Sequence, residues 1–231
     1  MDLVYVVGQD FINDNNELRF SLRSAEQHLD FDKVIIVGYK PLFLNDNVIY
    51  KKIHDNLGHK NFNVARKIKS LLEYGEVSDD FIFMNDDFFL LKDYSAIPYY
   101  YNKSIQEWVD CCASKKSIYY KNVLRLAADD FPDGKFFEVH CPIVYNKKLV
   151  KDVIQKYELK LTLMLRSYYC NEYKDLIGPI EETKDYKIYN LSQLDEYKNS
   201  PFISTNNVVA SNPIFKSFIM TRFPNKSRYE K

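Results

Sequence analysis

Glycine is scarce in this 231-residue chain, with only 6 residues, and none is arranged as Gly-x-Gly-x-x-Gly or Gly-x-x-x-x-Gly-Lys. A dinucleotide fingerprint and a Walker-type phosphate loop are thereby excluded, because each needs glycine where backbone amides approach phosphate. Any nucleotide must be held in another way. An excess of one charge is absent too: Lys plus Arg and Asp plus Glu number 32 each. No global field draws the chain to nucleic acid or to an anionic membrane, which leaves only local basic patches. Cys111, Cys112, Cys141 and Cys170 form no Cys-x-x-Cys pair and have no histidine at zinc-finger spacing, a pattern that argues against structural zinc. No apolar run approaches the roughly 20 residues that span a bilayer, and Met1 to Gly8 carries no basic leader and reads as a strand. The expectation is a soluble, cytoplasmic protein with reduced thiols, folded as one domain over 1–231.

What the chain has is aromatic, with 19 Tyr and 16 Phe, most of them suited to packing. Asp80-Phe81-Ile82-Phe83-Met84-Asn85-Asp86-Asp87-Phe88-Phe89-Leu90 is its most informative stretch. An apolar run ends in Asn-Asp-Asp and another follows at once, so burial of the flanks carries two carboxylates to the edge of a core. Adjacent Asp86 and Asp87 repel there unless a cation lies between them. Mg²⁺ or Mn²⁺ suits such hard ligands, with a substrate's phosphates completing the shell. A solvated turn is the alternative for a bare Asp-Asp pair; the aromatic runs on both sides favour the metal.

The order of elements predicts an α/β fold. Residues 3–8 read as a strand, and Asn13 to Asn16 as a turn and helix cap. Leu18, Leu22, Ala25 and Leu29 repeat at helical spacing. Val34 to Gly38 is an apolar strand of the kind covered on both faces, and Val48 to Ile53 is a weaker one. Val64, Ile68, Leu71 and Leu72 mark a second helix closed by Gly75, and Phe81 to Met84 is the strand that delivers Asn-Asp-Asp. This β-α-β-β-α-β order predicts a Rossmann-like, mainly parallel sheet with helices on both faces. Residues 94–135 read as an inserted region of loops and short strands, Phe136 to His140 as a strand halted by Pro142, and Asn146 to Leu165 as helical. Phe202 to Thr205 is a late strand, Pro213 opens a helix to about Arg222, and 223–231 is a basic, polar tail.

In such sheets ligands bind beyond the carboxyl ends of the strands. That places Asn85, Asp86 and Asp87 at a metal–diphosphate site, where the metal stabilises a departing nucleotide. Arg19 and Arg23 lie i, i+4 on the first helix and suit either a diphosphate or a solvated flank paired with Glu26. His28 fits the helix C-terminus, and His54 and His59 flank a Gly58 loop as surface residues. On a strand, Glu138 and His140 face one side about 7 Å apart, which suits a general base beside a carboxylate as well as a structural histidine. Arg166, after the apolar segment Leu159 to Leu165, reads from position alone as a helix-end snorkel rather than a buried anion clamp.

Together these segments resemble the Stealth family of sugar-phosphate transferases. Asn15-Asn16-Glu17-Leu18-Arg19-Phe20-Ser21-Leu22-Arg23-Ser24 is very similar to the family's D-N-x-E-L-R-Y-S-L-R-S block. Asn61-Phe62-Asn63-Val64-Ala65 resembles its F-N-S-x-A-I-E segment, and Phe81 to Phe89 its F-I-Y-x-N-D-D-x-F. His140-Cys141-Pro142 resembles its H-x-P, and Leu165-Arg166-Ser167 its F-R-S. The resemblance implies a fold related to glycosyltransferase-A-type enzymes, a nucleotide-sugar donor and a divalent metal. It makes Arg19, Arg23, Asn85, Asp86, Asp87, His140 and Arg166 site residues.

There are departures. The opening Y-T-W-V-N-G-x-D becomes Tyr5-Val6-Val7-Gly8-Gln9-Asp10, the Glu after A-I gives way to Arg66-Lys67 following Ala65, and the late N-D appears as Thr205-Asn206-Asn207. The end, from Phe223 to Glu230, is instead similar to the tails of compact glycosyltransferases. The expected reaction is transfer of a sugar-1-phosphate to a hydroxyl of a carbohydrate acceptor. Asp86 and Asp87 would hold the metal, Arg19, Arg23, Asn85 and Arg166 the donor, and His140, with Glu138, would act as base. Transfer of the sugar itself, to a glycan or to a hydroxylated DNA base, is the first alternative. A sugar-nucleotide-binding protein without catalysis is the second.

Overall fold

The computed structural model describes residues 1–8, 16–55, 60–111, 118–158 and 164–231. Strand β1 (Asp2–Val7) is buried at every position, as DLVYVV requires of a strand covered on both faces. Helix α1 (Asn16–His28), β2 (Val34–Gly38), β3 (Ile49–Lys52), α2 (Lys60–Tyr74) and β4 (Asp80–Met84) follow in the expected order. After them come β5 (Phe88–Leu90), β6 (Tyr99–Tyr101), α3 (Ile105–Cys111), α4 (Ile118–Asp130) and β7 (Ile143–Asn146). The main sheet has the order β3-β2-β1-β4-β7. Its first four strands are parallel, and β7 pairs antiparallel with β4, placing Ile143 opposite Phe83.

Strand alternation divides the side chains between two cores. Val4 and Val6 of β1 join Ile35, Val37, Phe81 and Phe83 on one face, which α2 covers with Ile68, Leu71 and Leu72. Leu3, Tyr5 and Val7 join Val34, Ile36, Ile82 and Met84 on the other, which α1 covers with Leu18, Leu22 and Ala25. This is the Rossmann-like arrangement that the periodicity predicts. The end of α2 is also where expected, since Gly75 has φ +74°, a left-handed conformation that favours glycine.

The second half of the chain holds α5 (Lys147–Tyr157), α6 (Leu165–Glu172), β8 (Ile180–Glu182), β9 (Lys187–Ile188), α7 (Leu194–Tyr197), β10 (Phe202–Thr205), α8 (Asn207–Ser211) and α9 (Pro213–Arg222). Strands β5, β10 and β9 form a small sheet, and β6 pairs with β8. A third core, with Phe20, Phe89, Ile203, Phe215, Ile219 and Phe223, joins this sheet to α1 and α9. Asn212 caps α9 by accepting from the Ile214 N–H at 2.9 Å, with Pro213 as its first residue.

Two expectations need correction. Residues 94–135 are not loops and short strands alone, because α3 and α4 lie within them and bury Ile105, Val123, Leu124 and Ala127. Phe136 to His140 is not a strand. Its amides are spent elsewhere: Phe136 N–H donates to the Lys103 carbonyl (2.8 Å) and Phe137 N–H to Ser167 Oγ (2.9 Å). The basic, polar tail is in part packed against the fold, with Phe223, Ser227, Tyr229 and Glu230 buried. The cap residues Asn13 to Asn15, with Cys112, His59 and most of the segment before Arg166, lie outside the described residues. Among the described residues no helix is long and apolar enough to cross a membrane.

Candidate active site

The four parallel strands end at one edge. Asn85, Asp86 and Asp87 follow β4 there, half-buried, between the buried Met84 and Phe88. Because β7 runs back against β4, the residues before Ile143 reach the same edge, which brings His140 to it; its ring meets Phe88 edge-on at 6.2 Å. Strand β9 approaches through the small sheet, where Ser204 pairs with both Phe88 and Lys187.

One segment, 183–188, therefore supplies two partners. Lys187 Nζ is 3.6 Å from Asp87 Oδ2, with side-chain exposures of 15% and 19%. Asp185 Oδ2 is 2.9 Å from His140 Nδ1, and Asp185 Oδ1 also accepts from the His140 backbone N–H at 3.3 Å. A carboxylate at Nδ1 selects the Nδ1–H tautomer and leaves Nε2 with its lone pair. The His–Asp pair is the arrangement that orients a general base.

Glu138 lies within electrostatic reach of both Arg166 and His140. Its Oε1 accepts from the Ser167 N–H at 3.0 Å. Burial pushes its carboxyl above the ordinary glutamate value, with Arg166 and Ser167 only partly opposing that shift. Arg166 is no helix-end snorkel: it lies in the first turn of α6 and is 7% exposed. Its Nη1 donates to the Val139 and Cys141 carbonyls at 2.9 and 2.6 Å, and its guanidinium lies 5.8 and 5.4 Å from the Phe83 and Phe88 ring centres. It thus braces the loop of His140 and the aromatic flanks of Asn-Asp-Asp together. Its Nη2 is a buried donor without a hydrogen-bond partner among the described residues.

Arg19 and Arg23 are held by the tail. Arg19 Nη1 donates to Glu230 Oε2 at 3.0 Å, and Arg23 Nε and Nη2 donate to the same carboxylate at 2.6 and 2.8 Å. His28 is buried, with Nδ1 2.7 Å from Asp93 Oδ1, and His54 is exposed.

Asp185, Lys187 and Lys67 escaped sequence reasoning. Lys67, 2% exposed, puts Nζ 2.9 Å from the Val7 carbonyl and 2.6 Å from Asp55 Oδ1, at the carboxyl end of β1. Gly38 makes room for it: a Cβ there would lie 2.2 Å from the Val7 oxygen and 2.9 Å from Lys67 Nζ, and its φ is +117°. The signal for Lys67 was a lysine at i+3 on the apolar stripe from Val64 to Leu71. For Asp185 and Lys187 no local signal exists, because their partners lie far away in sequence.

No protein-family model matches the sequence, and no curated protein does. The Stealth resemblance therefore stands on the quoted motifs alone. Among solved structures, LgtC, a galactosyltransferase determined with donor and acceptor sugar analogues, aligns with a TM-score of 0.53 at 8% identity, over 99% of this chain and 98% of its own. WbbM, a bifunctional glycosyltransferase without ligand, aligns with a TM-score of 0.57 at 12% identity, over 98% of this chain and 50% of its own. At such identities the likeness is one of fold, and this chain has the glycosyltransferase-A-type α/β fold of those proteins.

Proposed function

We propose that the chain is a nucleotide-sugar-dependent glycosyltransferase acting at the carboxyl edge of β4. The observation that carries the reading is the Asp86-Asp87 pair on that edge, with Lys187 3.6 Å from Asp87. Two adjacent carboxylates fit Mg²⁺ or Mn²⁺ when the donor's diphosphate supplies further oxygens. Among the described residues no group of three or more His, Cys, Asp or Glu could hold an ion, so a metal here would need oxygens from the donor. When bound, such an ion would offset charge on the leaving nucleotide.

The chain's own groups have distinct parts. Lys187, lying against Asp87, offers its ammonium to the diphosphate. Asn85, on the same turn, offers an amide to the donor. The unpartnered Nη2 of Arg166 supports its assignment to a donor oxygen, since a ligand anion would satisfy a buried cation's spare donor. His140, held by Asp185, takes the proton from the acceptor hydroxyl at Nε2 as that oxygen attacks the sugar. Glu138 fixes the turn of α6 that carries Arg166.

Transfer of the sugar-1-phosphate is the second reading, favoured by the motifs around Arg19 and Arg166. Purified protein incubated with a panel of nucleotide sugars and Mn²⁺ separates the two. Released nucleoside diphosphate supports glycosyl transfer, and monophosphate shows phosphosugar transfer. Donor binding without release would leave a binding protein without catalysis.

A further inference from the structure

Asp185, which binds His140 Nδ1, also lines an open groove of about 640 Å³. Asn102, Lys103, Glu182, Thr183, Lys184 and Tyr197 complete the groove's lining. Its walls are tied together. Tyr101 pairs with Glu182 across the β6–β8 ladder, and Thr183 N–H donates to the Tyr101 carbonyl at 2.8 Å. Asn102 Oδ1 accepts from Trp108 Nε1 at 2.9 Å, which fixes an amide whose NH₂ remains to bond a ligand. Tyr197 packs edge-on against Tyr186 at 5.5 Å.

The chemistry of this lining is specific in one respect: its formal charges cancel, Lys103 and Lys184 against Glu182 and Asp185. A polyanion needs a lining of net positive charge to exchange for its counterions. Hydroxyl groups need alternating donors and acceptors, which amide, hydroxyl, ammonium and carboxylate groups supply here. The cavity of about 280 Å³ between α1 and α9 differs, being walled largely by Phe20, Phe89, Phe215, Ile219 and Met220.

We propose that the groove beside Asp185 seats the acceptor, and that the acceptor is an uncharged oligosaccharide rather than DNA. The inference rests on the glycosyltransferase reading above. The reacting hydroxyl would extend past Asp185, beyond the groove's own lining, to Nε2 of His140, while further sugar units lie along Glu182, Asn102 and Tyr197. No new bond chemistry is required: the acceptor oxygen gains the sugar, and its proton passes to His140.

Transfer is measured with a panel of neutral di- and trisaccharides and with a hydroxymethylated DNA duplex. A saccharide should serve and the duplex should not. Tyr197→Ala and Glu182→Gln should each raise the acceptor KM about tenfold, the loss of roughly one good hydrogen bond or packing interaction, against an unmoved donor KM. An acceptor KM within about twofold of wild type in both variants, or transfer to the duplex alone, overturns the proposal. Saturation-transfer NMR with the same saccharides reads the groove without turnover, so it answers even if no nucleotide sugar is consumed. A saccharide signal that is strong in wild type and weak in Tyr197→Ala and Glu182→Gln supports the groove, and an equal signal in all three proteins removes it. A wild type that releases no nucleotide fails the glycosyltransferase reading instead.

Discussion

Two clusters of paired charge differ in how completely each is satisfied. In the tail cluster the Glu230 side chain is fully buried and accepts from Arg19, from two nitrogens of Arg23 and from the Ser227 N–H, all between 2.6 and 3.0 Å. In the β4 cluster Lys187 stands 3.6 Å from Asp87 with both side chains partly exposed, and the neighbouring Arg166 keeps an unmatched buried nitrogen. The first arrangement has little left to offer a ligand. The second has donors and acceptors in reserve, which is what a site that binds charge must keep. On the proposed reading, the closed pair serves stability and the loose pair at the strand end serves chemistry.

The largest expected effect breaks the loose cluster. Asp87→Asn should lower turnover by more than about 10⁴-fold, because the charge stabilisation lost with a bound cation is worth several kcal/mol and each 1.4 kcal/mol is tenfold. Its melting temperature should stay near wild type, since Asp87 is partly exposed. Near-normal turnover in this variant, or full activity in EDTA, removes the metal site. Next comes His140→Ala, which should cost about 10²–10⁴-fold in kcat with donor affinity kept. Asp185→Asn should lower kcat in the same direction by less, because it disturbs the tautomer but leaves the imidazole. Lost donor affinity with kcat intact would move His140 into the nucleotide site.

This division also explains what the sequence could tell. The sheet was legible because each strand and helix advertises itself locally: DLVYVV, VIIVG and DFIFM are apolar throughout most of their length, and Leu18, Leu22 and Ala25 keep the helical period. Asn-Asp-Asp was legible for the same reason, as polar residues between two buried runs. Partnership was not. Arg19 and Arg23 read as either phosphate ligands or a flank paired with Glu26, and their partner Glu230 lies more than 200 residues away; His140, expected beside Glu138, also has the distant Asp185 as its hydrogen-bond partner. Phe136 to His140 has a strand's composition, yet Ser167 and Lys103 take its hydrogen bonds before a neighbouring strand can. Periodicity predicts faces, whereas pairing depends on folding that brings distant segments together.

Breaking the closed cluster should affect stability rather than turnover. Glu230→Gln leaves the partly exposed Arg19 and Arg23 guanidinium groups without their counter-charge and should cost about 1.5–3 kcal/mol of unfolding free energy. Its kcat should stay within about twofold, and a large kcat loss at unchanged stability would join the two clusters functionally. The pH dependence of wild-type stability sharpens this. Burial alone would raise the Glu230 carboxyl, but Arg23, the Ser227 N–H and Arg19 outweigh it and hold the carboxyl below its ordinary value. A depressed folded-state value means stability that is present above the ordinary glutamate range and lost as pH falls through the folded value. Urea titrations at descending pH should show that acid-limb loss in wild type and a shallower one in Glu230→Gln; equal limbs would take the clamp out of acid stability.

The smallest expected effect is the most discriminating. Arg19→Ala should change the affinity for a nucleoside diphosphate with Mn²⁺ by less than about 0.5 kcal/mol in calorimetry, because its guanidinium is committed to Glu230 and lies over the Phe43 ring, 4.3 Å from its centre. A diphosphate contact would instead cost about 1.5–3 kcal/mol, as charged hydrogen bonds do. A loss of that size would overturn the contrast between closed and loose clusters. The two oxygens of Glu230 would then be standing where diphosphate oxygens belong, held by the same forked donors of Arg19 and Arg23. Donor binding would have to displace the tail, and Glu230→Gln should in that case tighten the diphosphate while it loosens the fold. Affinity and stability moving in opposite directions in one variant is a result that a purely structural clamp does not produce.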